Sequence, residues 1–549
     1  MVTRRKFHQD EIGRQSPYFS SLKTTIETAF YANHVVAIKG MDEAYQLAAS
    51  DPGSIVLDMP VIHTAELGLP SYARVLLSNS GAIVGRTAKA RRIFGQDSVE
   101  DKELLPIIQS AIFQSQHQAF YKADAIVGLD EDFMVCAHLM APDTEVANLY
   151  SWLLNFQIIN EEYKDRLKES KAYDENDIYI FFNPNWSHPD YPDGLAYFDT
   201  VHNCVVILGL NYFGELKKAT LTLAWGIAAR NGYVSCHGGL KIFKKREGQD
   251  YVASFFGLSG SGKSTLTHAK HWGKYDIKVL HDDAFIISER DGSSIALEPS
   301  YFDKTNDYPA GHPEQDYFVT VQNCGVTLDE NGRKKLVTED IRNGNGRTVK
   351  SRFSTPNRVD KIAEPIQAIY WIMKDDSLPP LVKVEDPVLA ATMGCTLMTK
   401  RSAAENTKEN YQTLVIEPYA NPFRVYPLVE DYQKFQCLFE SGVDCYILNT
   451  GFYMGKSIPK EVTLSIIEQV VDGTANFQPF GDAAYLSYLE LADYPLTDFD
   501  EGYKQLLRER MQLRLNFLLS FNQNNLATPL PVESISRMED LIISLKKKR

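Results

Sequence analysis

Gly257-Leu258-Ser259-Gly260-Ser261-Gly262-Lys263-Ser264-Thr265 follows the apolar run Val252-Ala253-Ser254-Phe255-Phe256. The apolar run reads as a buried strand, and the residues after Gly262 can start a helix. Glycine, any four residues, then Gly-Lys-Ser is the pattern of a phosphate-binding loop. Glycines let the backbone close around a phosphate, and successive N–H groups form an anion-binding nest. The helix that follows presents its positive end to the same anion. The expected cradle is Gly257, Ser259, Gly260, Ser261, Gly262 and Thr265, with Lys263 reaching the β/γ-phosphates and Ser264 holding a divalent metal. About 20 residues further on, the apolar stretch 277–280 ends at Asp282 and Asp283. A carboxylate at such a strand end holds the metal of a phosphate-loop enzyme directly or through water.

Around this motif the chain alternates strand-like and helix-like segments, which argues for α/β layering. Strands are expected at 55–59, 74–77, 125–128, 134–139, 177–182, 204–210, 277–280, 366–373 and 445–448, and helices at 145–156, up to Arg230, and twice after Asp500. A length of 549 residues implies two or more domains. The expected division is an N-terminal substrate-binding domain, 1–239, and a C-terminal nucleotide-binding domain, 240–549. Residues 325–350 are polar and turn-rich and read as a hairpin or surface excursion. The stretch 384–410 lacks periodicity and reads as a mobile loop.

Composition narrows the function classes. With 57 Lys and Arg against 71 Asp and Glu, the net charge of −14 argues against non-specific nucleic-acid or membrane binding. No apolar run is long enough to span a membrane, and the polar N-terminus lacks the core of a signal peptide. Seven scattered cysteines with no CxxC pair fit a reducing, cytoplasmic setting.

Several other residues carry candidate chemistry that is weak when each is taken alone. Lys217 and Lys218 follow a buried strand, and one of them can face a cleft. His237 ends Tyr233-Val-Ser-Cys-His before two glycines. Arg86 and Arg352 are suited to gripping carboxylates bidentately. Taken in order, however, these segments resemble ATP-dependent phosphoenolpyruvate carboxykinases. The resemblance is carried by Leu208-Gly-Leu-Asn-Tyr-Phe-Gly-Glu-Leu-Lys-Lys218, His237, the phosphate loop and Asp282-Asp283. Gly85-Arg86-Thr87-Ala88-Lys89, Tyr301-Phe-Asp-Lys304-Thr305, Ser351-Arg352-Phe-Ser-Thr-Pro356, Leu378-Pro-Pro380 and Leu448-Asn-Thr-Gly451 are similar to further family segments and keep their order.

The resemblance implies a two-domain carboxykinase-like fold and a reversible reaction in which oxaloacetate and ATP give phosphoenolpyruvate, CO2 and ADP. It implies that Arg86 and Arg352 hold the substrate carboxylates, with Tyr212 lining that pocket and Arg352 also counted with the nucleotide. Lys218, His237 and Asp283 would bind Mn2+. Lys263 and Ser264 would bind the phosphates and Mg2+, with Asp282 and Thr463 in the nucleotide set. Lys304 would neutralise the phosphoryl group in transfer. The stretch near 387–405 would be a lid, with Gly394-Cys395-Thr396 similar to the family's Gly-Phe-Thr. The partners implied are small molecules, not nucleic acid or membrane, for a monomer or small homo-oligomer.

The chain departs from the family at Ala88, at His281 (where the family has Gly), at Gly238-Gly239-Leu240-Lys241 and at Ser457. These changes leave two alternatives open: a phosphate-loop kinase for another small carboxylate, or an inactive nucleotide-binding homologue.

Overall fold

The computed structural model describes residues 3–79, 90–156, 161–339, 344–400, 413–496 and 499–546. The architecture is mixed α/β in two compact units. The first unit comprises residues 1–231 and 296–356, and the second 232–295 and 357–549. This differs from the expected single boundary at 239/240. Strand Phe318–Gln322 pairs in parallel with Arg74–Ser78, which draws 296–356 back into the first unit. No local pattern announces a pairing of that sequence separation.

The first unit is built on a seven-stranded sheet in the order Val35–Ala37, Phe120–Asp130, Phe133–Pro142, Ile178–Asn183, Cys204–Leu208, Leu195–Asp199, Arg91–Ile93. Leu22 and Ile26 of helix Ser21–Ala29 and Leu104 and Ile108 of helix Ser98–Gln114 pack on Phe120, Met140, Phe181 and Val206. A five-stranded sheet runs Tyr301–Lys304, Arg347–Lys350, Phe318–Gln322, Arg74–Ser78, Ser54–Pro60. The stretch 325–350 is a hairpin only in part: Gly325–Leu328 pairs with Lys334–Val337, but Arg347–Lys350 is buried within this sheet. Its cations are buried because they are partnered. Lys350 lies 3.0 Å from Asp303 and 2.5 Å from Glu314.

The second unit is built on an eight-stranded sheet ordered Asp276–His281, Gly239–Lys244, Tyr251–Phe256, Ala368–Met373, Asp444–Asn449, Leu381–Val384, Leu486–Leu489, Phe477–Pro479. Tyr251–Phe256, Ala368–Met373 and Asp444–Asn449 are mutually parallel, so their carboxyl ends lie side by side. The rings of Phe255, Tyr370 and Tyr446 stack across the three strands. Ligands of open α/β sheets bind beyond such carboxyl ends.

Within the expected lid, Pro387–Cys395 is a helix and Met398–Lys400 a strand; 401–405 lie outside the described residues. The helix shows no apolar period because Leu389 to Cys395 are all buried. A Cβ on Gly394 would press into the rings of Trp371 and Tyr419, so the glycine there serves packing. No helix among the described residues is long and apolar enough to cross a membrane.

Candidate functional site

In the second unit, strand Tyr251–Phe256 leads through Gly257–Gly262 into helix Lys263–His268. Gly260 and Gly262 take φ of +75° and +100°, conformations that favour glycine. A Cβ on Gly257 would strike the Ser261 side chain. The loop's carbonyls are gathered from the neighbouring parallel strands. Lys374, just past Ala368–Met373, donates to the Gly260 carbonyl at 2.7 Å, and Thr450, just past Asp444–Asn449, donates to that of Ser261 at 2.8 Å. Within the loop itself the Ser261 N–H donates to the Leu258 carbonyl at 3.0 Å, closing the turn. Burial lowers the Lys374 pKa. Lys263 is half-buried and Ser264 and Thr265 are exposed. The Ser261 hydroxyl is buried without a hydrogen-bond partner among the described residues.

Strand Asp276–His281 delivers the two aspartates. Asp282 is buried, 3.3 Å from His268 Nε2 at the end of the phosphate-loop helix. Burial opposes its charge. The His268 hydrogen bond, with the charges of His268 and Lys263, outweighs that and holds its pKa well below the carboxylate range. His281, the departure from family pattern, is buried, and its Nδ1 accepts from the N–H groups of Asp283 (3.1 Å) and Ala284 (3.3 Å). A glycine could not brace the turn in this way.

Strand Tyr233–His237 runs antiparallel to Ala284–Ser288 with His237 opposite Ala284. That register brings His237 Nε2 to 3.0 Å from Asp283 Oδ1. His237 Nδ1 donates to the Ala420 carbonyl at 2.6 Å, which leaves Nε2 as the nitrogen that faces the carboxylate; with an acceptor on each side, both ring nitrogens carry hydrogens. Once Nε2 gives up its hydrogen, Nε2 and Asp283 Oδ1 are spaced to be adjacent ligands of one divalent ion, whose bonds to each would be about 2.1 Å. No group of three or more His, Cys, Asp or Glu side chains among the described residues is placed to hold a metal. The adjacent Gly238 and Gly239 are explained by packing: a Cβ on Gly238 would meet the Phe255 carbonyl, and one on Gly239 would collide with Thr267.

Thr463 is buried in helix Lys460–Asp472 and its hydroxyl donates to the Pro459 carbonyl at 3.3 Å. Ser457 is exposed in the short strand Lys456–Ser457.

In the first unit, Tyr212 caps helix Phe213–Arg230 and packs on Phe302 at 6.0 Å between ring centroids. A Cβ on Gly214 would overlap the Tyr212 ring. The preceding turn is pinned by Asn148, which donates to Asn211 Oδ1 at 3.0 Å, and by Gln322, which accepts from Phe213 N–H at 3.2 Å. Lys304 ends the strand that carries Phe302, and Arg352 follows the strand paired with it. Arg352 lies 3.4 Å from the Tyr163 hydroxyl. Arg86 and Lys89 lie outside the described residues. A cavity of about 660 Å³, lined by Pro106, Gln114, Asn183, Trp186 and His188 among others, contains none of the predicted site residues.

The structure separates the two lysines that their local sequence could not. Lys217 is fully buried and paired with fully buried Glu298 at 2.9 Å, whereas Lys218 is half-buried with its Nζ 5.8 Å from the Trp225 ring. Lys217→Met should therefore strand the Glu298 carboxylate and cost about 3–5 kcal/mol of stability. Lys218→Met, at a half-buried position, should cost less than that. Denaturant unfolding of the two variants checks the contrast.

The arrangement defines a class first: a mixed α/β protein with a glycine-rich loop between a buried strand and a helix, flanked by an aspartate pair. Within that class, this chain belongs to the phosphoenolpyruvate carboxykinase family, whose model matches residues 62–488. It is 27% identical to a phosphoenolpyruvate carboxykinase (ATP) of Aeropyrum pernix over 311 residues, covering 52% of this chain and 60% of that protein. It is 22% identical to one of Bradyrhizobium sp. strain ORS 278 over 420 residues, 72% of this chain and 73% of that protein. The identity to one of Lysinibacillus sphaericus is 22% over 477 residues, 79% of this chain and 85% of that protein. The matched stretch thus spans under two thirds of the Aeropyrum pernix protein but most of the other two.

Lys374, His268 and the bracing role of His281 are absent from the sequence-level site. Thr450 falls within a family-like segment, Leu448-Asn-Thr-Gly451, and could have been found there; Lys374 has no such signal.

Proposed function

We propose that this chain catalyses the reversible, ATP-dependent conversion of oxaloacetate to phosphoenolpyruvate, CO2 and ADP. The observation that carries this reading is the His237–Asp283 pair, with His237 Nδ1 committed to the Ala420 carbonyl so that Nε2 is the atom turned to the carboxylate. A protein that only binds nucleotide needs Lys263 and Asp282 but has no use for that pair. Family membership and the relatives' printed names support the same reaction.

In this reading the first unit binds substrate and the second binds nucleotide. Arg86 and Arg352 hold the oxaloacetate carboxylates and Tyr212 lines their pocket, so the C–C bond to the departing carboxylate is held for cleavage. The electron pair left behind becomes an enolate, whose oxygen attacks the γ-phosphorus as the bond to ADP breaks. Lys263 and the N–H groups from Gly257 to Thr265 hold the β/γ-phosphates, with Thr463 in the nucleotide set, and Lys304 offsets charge on the phosphoryl group in transfer. Lys218, His237 and Asp283 would hold Mn2+, which would supply Lewis-acid stabilisation of enolate charge, and Ser264 with Asp282 would hold the Mg2+ that accompanies the nucleotide. Lys218 must be neutral to serve there, which a neighbouring dication favours. Seven scattered cysteines with no CxxC pair support a cytoplasmic setting, and a monomer or small homo-oligomer suffices.

The test is formation of phosphoenolpyruvate from oxaloacetate and ATP by the purified protein, with Mn2+ and Mg2+. One ADP per phosphoenolpyruvate, dependent on metal, is expected. Tight ATP binding without phosphoenolpyruvate under any metal would overturn the reading.

A further inference from the structure

Beneath the phosphate loop the second unit buries a lysine that the chemistry above does not use. Lys241 lies on Gly239–Lys244, two residues past Gly239 and so on the same face of the strand. Gly239 is where that strand comes up against Thr267 of the phosphate-loop helix. Lys241 therefore reaches the end of that helix, and its Nζ donates to the carbonyls of Leu266 (2.6 Å) and Ala269 (3.1 Å). Its third partner is His271 Nε2 at 3.0 Å. His271 Nδ1 in turn lies 2.9 Å from Glu468 Oε1, on helix Lys460–Asp472.

The proton positions follow from the partners. A carboxylate only accepts, so His271 Nδ1 carries the hydrogen and Nε2 offers its lone pair. All three ammonium hydrogens of Lys241 then have acceptors. Burial, with the Lys241 charge beside it, pushes the His271 pKa down to about 4 and keeps the ring neutral. Burial also drives the Lys241 pKa down. Lys274 is the other charge facing Glu468, at 3.7 Å. His271 and Trp272 both sit at left-handed φ, 48° and 51°, a strained backbone for non-glycine residues that persists only where the surroundings hold it.

The phosphate-loop helix has only six residues. A helix that short is not stable by itself, and its last carbonyls have no partner within it. We propose that Lys241, His271 and Glu468 are positioning residues for nucleotide binding, clamping the C-terminal end of the phosphate-loop helix to helix Lys460–Asp472. The clamp keeps Lys263 and the loop N–H groups in the geometry a polyphosphate requires before it arrives. This rests on the reading that the loop binds nucleotide. It adds a physical reason for one departure from the family, the lysine at 241.

The experiment measures MgADP affinity by calorimetry, with kcat and KM, for the full-length wild type, Glu468→Leu, Glu468→Gln and Lys241→Met. Glu468→Leu is expected to raise the nucleotide Kd about tenfold while kcat at saturation stays within about twofold. Glu468→Gln is expected to restore most of that affinity, because its amide oxygen still accepts from Nδ1–H. Lys241→Met should weaken binding further, and the Glu468 pair decides the matter even if that variant fails to fold. Wild-type affinity in Glu468→Leu, or equal losses in the Leu and Gln variants, would overturn the clamp alone. A wild type that does not bind MgADP would overturn the nucleotide reading and the clamp with it.

Discussion

His237→Ala should reduce metal-dependent phosphoenolpyruvate formation by about a thousandfold or more, since a Lewis acid at an enolate supplies several kcal/mol and each 1.4 kcal/mol is tenfold. ATP affinity measured without Mn2+ should stay within about threefold, a change of well under 1 kcal/mol. The separation follows from the fold. His237 ends a strand of the four-stranded sheet and meets Asp283 through that sheet's register, whereas the phosphate loop rises from the eight-stranded sheet. His237→Ala removes both ring nitrogens, and with them the partner that the Ala420 carbonyl and the Asp283 carboxylate share. His237→Gln keeps an amide in place but presents a poorer metal ligand, so it should recover stability more than activity. Equal losses of ATP binding and of turnover in His237→Ala would assign the residue to the nucleotide and not to the enolate.

How far such residues could be read in advance depends on how local their signals are. The phosphate loop was legible because strand, glycine turn and helix start are consecutive in the chain. Cys204–Leu208 was legible because strands buried on both faces read as unbroken apolar runs. Pro387–Cys395, within a stretch that reads as a loop from sequence, was misread for a related reason, because a helix buried on all sides has no polar face to set a period. Arg347–Lys350 was misread as surface because its charges suggest solvent, and the acids that compensate Lys350 come from other elements. Lys217 and Lys218 could not be told apart from their local sequence, only through the family resemblance, since the physical distinction lies in Glu298, far along the chain. Lys374 and Thr450 become neighbours of the loop only through the order of three parallel strands. Residues that act through long-range pairing carry no local mark, and they make up much of the bracing behind the loop.

That bracing bears on the second large effect. Lys263→Ala should lower kcat by about a thousandfold, several kcal/mol of transition-state charge stabilisation, while thermal stability changes little. Lys263 is half-buried, and its charge is one of those that hold Asp282 ionised. His268, hydrogen-bonded to Asp282, is first among those aids, so the carboxylate should remain charged at neutral pH in the variant. The loss should therefore fall on the phosphates and not on the metal-side carboxylate. Lys374→Met provides the contrast. Lys374 bonds the Gly260 carbonyl and fixes the loop, so its loss should raise the nucleotide KM by about tenfold and spare most of kcat. A Lys263 variant that lost only affinity, or a Lys374 variant that lost only turnover, would reverse the two assignments. Steady-state kinetics at saturating and limiting ATP distinguishes them, because a group acting on charge in transfer lowers the maximal rate whereas a group acting on the shape of the cradle is felt when the nucleotide binds.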